Sequence, residues 1–280
     1  MDKATLIDSF LNAPDKHISL MGMSGVGKTH LSKKLPRERW FHYSIDYRIG
    51  TRYLDEEIND FFKLEAMKSD VLRKLLYNHS ISIKSNLTFD NLQPLSIYLG
   101  MVGALEKGGS LLEDFLERLE KHRIAEINAS YDVLDFMTRA KRIYQYPNFI
   151  ADLSGSFCEL GDDDLSKTLG EETLLIYLKA SDRMQEKVIE RAQTHPKPLY
   201  YQAPFLMDVI KQYCEANNLA SEREIDPSAF AIWVFPRLIE HRLSLYESIA
   251  EHFGITLCAE EVYFARDEAD FFNLIEKAKQ

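Results

Sequence analysis

Five short apolar runs recur along the chain, each bounded by turn-forming or charged residues: Ile18-Ser19-Leu20-Met21, Trp40-Phe41-His42-Tyr43-Ser44-Ile45-Asp46, Asn148-Phe149-Ile150-Ala151-Asp152, Thr173-Leu174-Leu175-Ile176-Tyr177-Leu178, and 255–258. Their length and their β-branched and aromatic content predict buried strands. Between them the spacing changes to that of helices. Leu6 and Phe10 share a face in 2–12, as do Leu31 and Leu35 before Pro36 stops the helix. Residues 55–142 read as largely helical, with Ile58, Phe61, Phe62, Met67, Val71, Leu72 and Leu75 in one stripe and Leu112, Phe115, Leu116 and Leu119 in another. Asn91-Leu92-Gln93-Pro94 and Lys107-Gly108-Gly109-Ser110 interrupt that region within 79–110. Ser181-Asp182 caps a helix that runs through Met184, Val188 and Ile189 to Arg191 and ends before Pro196. Further helices are expected near 236–253 and from Glu268. Strands alternating with helices imply a parallel, doubly wound sheet, an α/β fold.

A chain of 280 residues can bury a full core. The formal net charge of −10, with no track of Lys and Arg interleaved with aromatics, argues against a nucleic-acid partner. No window approaches the roughly 20 apolar residues of a membrane span, and the first residues carry no apolar leader, so a cytoplasmic protein is expected. Cys158, Cys214 and Cys258 are odd in number and far apart, which reads as reduced, partly buried thiols.

Gly22-Met23-Ser24-Gly25-Val26-Gly27-Lys28-Thr29 matches G-x-x-x-x-G-K-[ST] and lies between a predicted strand and a predicted helix. Glycines let such a loop bend until successive N–H groups point inward at phosphate oxygens, where the helix start also favours negative charge. Gly22, Ser24, Gly25, Val26, Gly27, Lys28, Thr29 and His30 are therefore the candidate nucleotide-binding residues. Lys28 would reach the β- and γ-phosphates, and Thr29 would offer its hydroxyl to Mg²⁺. The expected ligands are ATP and Mg²⁺.

Other residues join this loop as candidates. Asp152 ends a hydrophobic strand, where a carboxylate can stand near the metal or shape the substrate turn Ser154-Gly155-Ser156; capping that turn is the plainer role. Asp46, at the tip of the second predicted strand, can orient and deprotonate an acceptor hydroxyl, or pair with Arg48 or Arg52. Arg191 precedes a Pro-punctuated loop and can close over a transferring phosphoryl group, or remain a solvated helix-end arginine. Arg242 and Tyr246 lie one helical turn apart; the arginine can fork onto a substrate acid or stack on its neighbour.

In order and content, Gly22 to Thr29, Ile45 to Ile49, Val188 to Arg191 with Lys197-Pro198-Leu199, and Arg242 with Leu245 to Ala250 resemble the shikimate kinase family of small-molecule phosphate-loop kinases. The resemblance implies a P-loop NTPase three-layer fold, like that of nucleoside monophosphate kinases, with a five-stranded parallel sheet and a mobile lid. It implies Asp46 as the acceptor-side carboxylate, Arg191 as the lid arginine and Arg242 as the holder of the acceptor's acidic group. Ser154-Gly155-Ser156 departs from the family's three glycines. Residues 55–142 are far longer than the family's acceptor-binding region. The expected organisation is a core in 1–54 and 143–280, with a lid at about 190–202, and a helical insertion at 55–142. The expected activity is ATP-dependent phosphorylation of a hydroxyl on a small, anionic metabolite. The alternative is a regulatory or assembly ATPase that docks a protein partner through 55–142.

Overall fold

The apolar runs form β1 (His17–Met21), β2 (Trp40–Ser44), β3 (Asn148–Asp152), β4 (Leu174–Lys179) and β5 (Gly254–Cys258) of a computed structural model that describes residues 2–279. All five lie parallel in one sheet, in the order β2-β3-β1-β4-β5. Ile18, Leu20, Ile150, Leu175, Ile176 and Leu178 have no exposed surface. Successive residues on these strands point to opposite faces, so both faces are covered, as near-continuous apolar runs in a parallel sheet require.

The helices are α1 (Lys3–Asn12), α2 (Lys28–Lys34), α3 (Ile45–Arg48), α4 (Asp55–Met67), α5 (Asp70–Tyr77), α6 (Gln93–Leu99), α7 (Leu112–Tyr144), α8 (Asp163–Glu172), α9 (Asp182–Thr194), α10 (Ala203–Asn217), α11 (Pro227–Phe253), α12 (Ala259–Phe264) and α13 (Glu268–Lys277). Side-chain caps start several of them. Asp2 accepts from the Thr5 N–H at 2.9 Å, Ser181 from Met184 at 3.3 Å and Asp267 from Asp270 at 2.9 Å.

Several elements differ from the sequence reading. β2 stops at Ser44, which pairs with Asp152, the last residue of β3. Ile45 has no ladder partner left, and Ile45 and Asp46 turn into α3, followed by a π-helical turn over Ile49–Tyr53. Pro94 starts α6 rather than breaking a helix, since a proline at the first turn forfeits no intrahelical bond. α11 begins at Pro227, behind an Asp226 carboxylate that accepts from the Ala229 N–H at 3.0 Å, and it carries Pro236 inside. α9 continues to Thr194.

The described chain forms two compact units, residues 2–45, 126–196 and 232–279 in the first and 46–125 with 197–231 in the second. The first holds the whole sheet. The second therefore starts and ends short of the expected 55–142, takes in 197–231, and leaves the expected lid segment 190–202 divided at 196. Within the second unit, Phe61 meets Tyr98 edge to face, Phe115 meets Tyr201 and Tyr213 meets Phe230. The Ala104 N–H donates to the Ile225 carbonyl at 2.8 Å, which joins its two chain segments.

Candidate active site

β1 and β3 are neighbours, yet the chain leaves β1 toward one edge of the sheet and β3 toward the other. Ligands of open α/β sheets collect where connections diverge in this way, at the carboxyl ends of the strands. Here the loop after β1 and the turn after β3 touch: a Cβ built on Gly155 would stand 3.1 Å from the Ser24 nitrogen.

The loop keeps its path because of its glycines. Gly22 has φ +148, and a Cβ there would lie 2.9 Å from the Leu178 carbonyl oxygen on β4. Gly27, at φ +101, is the left-handed residue from which α2 starts. Val26 is buried, whereas Ser24, Gly25, Thr29 and His30 are exposed along the loop's outer side. Lys28 is buried, and its ammonium donates to the carbonyls of Gly22 at 2.8 Å and Met23 at 3.3 Å, so it lies along the inside of the loop.

Thr29 Oγ1 donates to Asp152 Oδ2 at 2.6 Å. This pair brings together a hydroxyl from the first turn of α2 and a carboxylate from the end of β3. Among the described residues no cluster of three or more His, Cys, Asp and Glu could hold a metal ion. A magnesium ion needs no such cage: it keeps several waters and takes one or two protein oxygens beside phosphate oxygens. The Thr29–Asp152 pair fits that demand. Arg191 reaches the glycine-rich loop from α9, its Nη1 3.8 Å from where a Gly25 Cβ would stand.

The chain matches no protein-family model and no curated protein.

The turn 154–156 is built differently from a substrate-facing one. Ser154 and Ser156 are buried, and their hydroxyls bond to each other at 2.8 Å. Ser156 Oγ donates onward to Glu126 Oε2 of α7 at 2.6 Å. Gly155 is the one partly exposed residue of the three. Its carbonyl is gripped from inside by Arg242 Nη1 at 2.6 Å and the Tyr246 hydroxyl at 2.9 Å. Arg242 is buried, and it donates from Nε to Glu159 Oε2 at 2.7 Å. Burial alone would lower its pKa, but Glu159, with Cys158 and Tyr246, more than offsets this, and the guanidinium stays charged. Neither Arg242 nor Tyr246 presents its polar end to the surface, as an arginine and tyrosine that hold an acceptor would; both hold the turn. Tyr246 stacks on Tyr177 of β4 at 5.0 Å, and burial first, then Cys158, pushes its hydroxyl well above the ordinary range. Burial also pushes the Cys158 thiol up against the opposing pull of Arg242, so it is no nucleophile at neutral pH.

Asp46 falls in the second unit, two residues beyond β2, in the first turn of α3. The residues that sequence reasoning missed are Glu126 and Glu159, both fully buried. Glu126 carried a signal: Phe115, Leu119, His122, Glu126, Ala129 and Val133 repeat at helical spacing and are all buried. A carboxylate on such a stripe needs a partner.

Proposed function

We propose that the chain is a Mg²⁺-dependent phosphotransferase that moves the γ-phosphoryl group of ATP to a hydroxyl of a small metabolite. The observation that carries this reading is the 2.6 Å meeting of Thr29 and Asp152 beside a glycine-bent loop whose lysine lies along its inner side. Loop N–H groups and Lys28 would bind the β- and γ-phosphates, and Thr29 and Asp152 would hold the metal side of the site. Bound Mg²⁺ would neutralise charge on those phosphates. Arg191 would cover the equatorial oxygens of the transferring group, where negative charge spreads in the transition state. Asp46 would orient the acceptor hydroxyl and accept its proton; its support is its chain position, two residues past Ser44, which is level with Asp152. Arg242, buried and paired, supplies no argument for an acidic group on the acceptor.

A second reading has one observation in its favour. Among the described residues of α5 none is buried, and Val71, Leu72 and Tyr77 are exposed there, as is Leu64 of α4. A partner-binding ATPase would use such a surface.

One experiment separates the two: ATP turnover by the pure full chain, with and without a pooled metabolite extract, for wild type and Asp46→Asn. The kinase reading expects extract-stimulated turnover that falls by two orders of magnitude or more, roughly the worth of a positioned acid-base group, in the variant. Turnover indifferent to both extract and Asp46 would give the site to a regulatory ATPase.

A further inference from the structure

The residue that follows Thr29 is aromatic, and it has an aromatic partner. His30 stacks on Tyr263 of α12 with ring centroids 4.5 Å apart and planes 19° from parallel. Tyr263 also stands beside the loop itself: a methyl built on Gly27 would lie 3.7 Å from its Cδ2. Lys34, one turn along α2 from His30, donates to the carbonyls of Tyr263 and Ala265, the latter at 2.6 Å. The segment that carries the ring is thus tied to the helix that starts at the loop. Phe264 meets Tyr263 edge to face at 5.5 Å. Despite these neighbours Tyr263 is 45% exposed and Phe264 75% exposed.

Two large rings kept open at the surface on a tethered segment, one of them beside Gly27, call for a reason. If the ring pair only packed α12 on α2, an aliphatic side chain would serve. A nucleobase offers a flat face that any aromatic ring can stack on, and its position is set by the polyphosphate to which it is joined. His30 directly follows the two residues assigned to the phosphates and the metal, and Tyr263 stands beside Gly27, so the ring pair borders the loop that would hold the polyphosphate.

We propose that Tyr263, backed by His30, is the stacking surface for the base of the nucleoside triphosphate, and so makes the site prefer a nucleotide over a bare polyphosphate. This rests on the loop's reading as a triphosphate site. Calorimetric titration of the full chain with MgATP and with magnesium tripolyphosphate tests both layers separately. Tyr263→Ala should weaken MgATP binding roughly tenfold, the typical worth of one base-aromatic stack, and leave tripolyphosphate binding unchanged. Tyr263→Phe, which keeps the ring, should bind both probes as wild type does. Wild-type affinity for MgATP in Tyr263→Ala would overturn the proposal, as would an equal loss for both probes, since the ring would then only support the loop. Wild-type protein that binds neither probe would overturn the triphosphate reading itself, and the stacking surface with it.

Discussion

Arg242 carries a full charge inside the protein, and its consequences follow from what surrounds it. It bonds to Glu159 and to the Gly155 carbonyl, and both charged partners are out of contact with solvent or nearly so. Removing one member of such a pair leaves a buried charge alone, which costs about 3–5 kcal/mol, whereas replacing both with apolar residues of similar volume is often close to neutral. Arg242→Met should therefore lower stability toward urea by about 3 kcal/mol or more, and Arg242→Met with Glu159→Leu should recover most of that loss. Equal destabilisation by the single and double variants would mean that the pair contributes mainly packing. At this scale the sequence was legible where a residue announces its neighbours. Thr29 belongs to a motif, and Asp152 ends an apolar strand. Glu159 and Arg242, 83 positions apart, share no motif, and nothing local reveals that they neutralise each other.

Elements were legible where a short apolar run ends in a turn, and for that reason all five strands were found within two residues. The exceptions have local causes. β2 read too long because Ile45 continues its apolar pattern, while the ladder stops with its partner at Asp152. Pro94 and Pro236 read as boundaries, but one opens a helix and the other lies inside α11. The loop between β1 and α2 depends on Gly22 in two independent ways, its backbone angle and the Leu178 oxygen at 2.9 Å from any added Cβ. Gly161 makes a control, with φ +66 and nothing within 4 Å of the same position. Gly22→Ala should cost about 3 kcal/mol, from strain in a conformation closed to side chains together with a backbone clash. Gly161→Ala should cost about 1 kcal/mol, the penalty of a left-handed residue in open space. Equal shifts of the two in chemical denaturation would show that the loop yields to the added methyl.

For the molecule as a whole, two histidines of the sheet set a pH limit on stability. Burial holds both His17 and His42 below the usual imidazole value of 6.5, opposed by Asp15 for the first and by Asp152 for the second. The unfolded chain therefore binds more protons than the folded one as pH falls below 6.5, and folding loses stability in that window. The thermal midpoint should decline between pH 7 and pH 5.5, and a His17→Gln, His42→Gln variant should show a shallower decline. An unchanged slope would assign the acid sensitivity to other groups.

The strand order also governs when these parts can come into being. β1 and β2 are made first but are not neighbours; each pairs with β3, which ends at residue 152. A chain leaving the ribosome thus carries its glycine-rich loop through more than a hundred residues of synthesis with no ladder to anchor it. β3, which pairs with both β1 and β2, also delivers Asp152 to Thr29. Pairing of the first two strands through β3 and the meeting of Thr29 with Asp152 depend on the same strand, so the nascent chain holds no half-formed version of that pair while the intervening helices are being made.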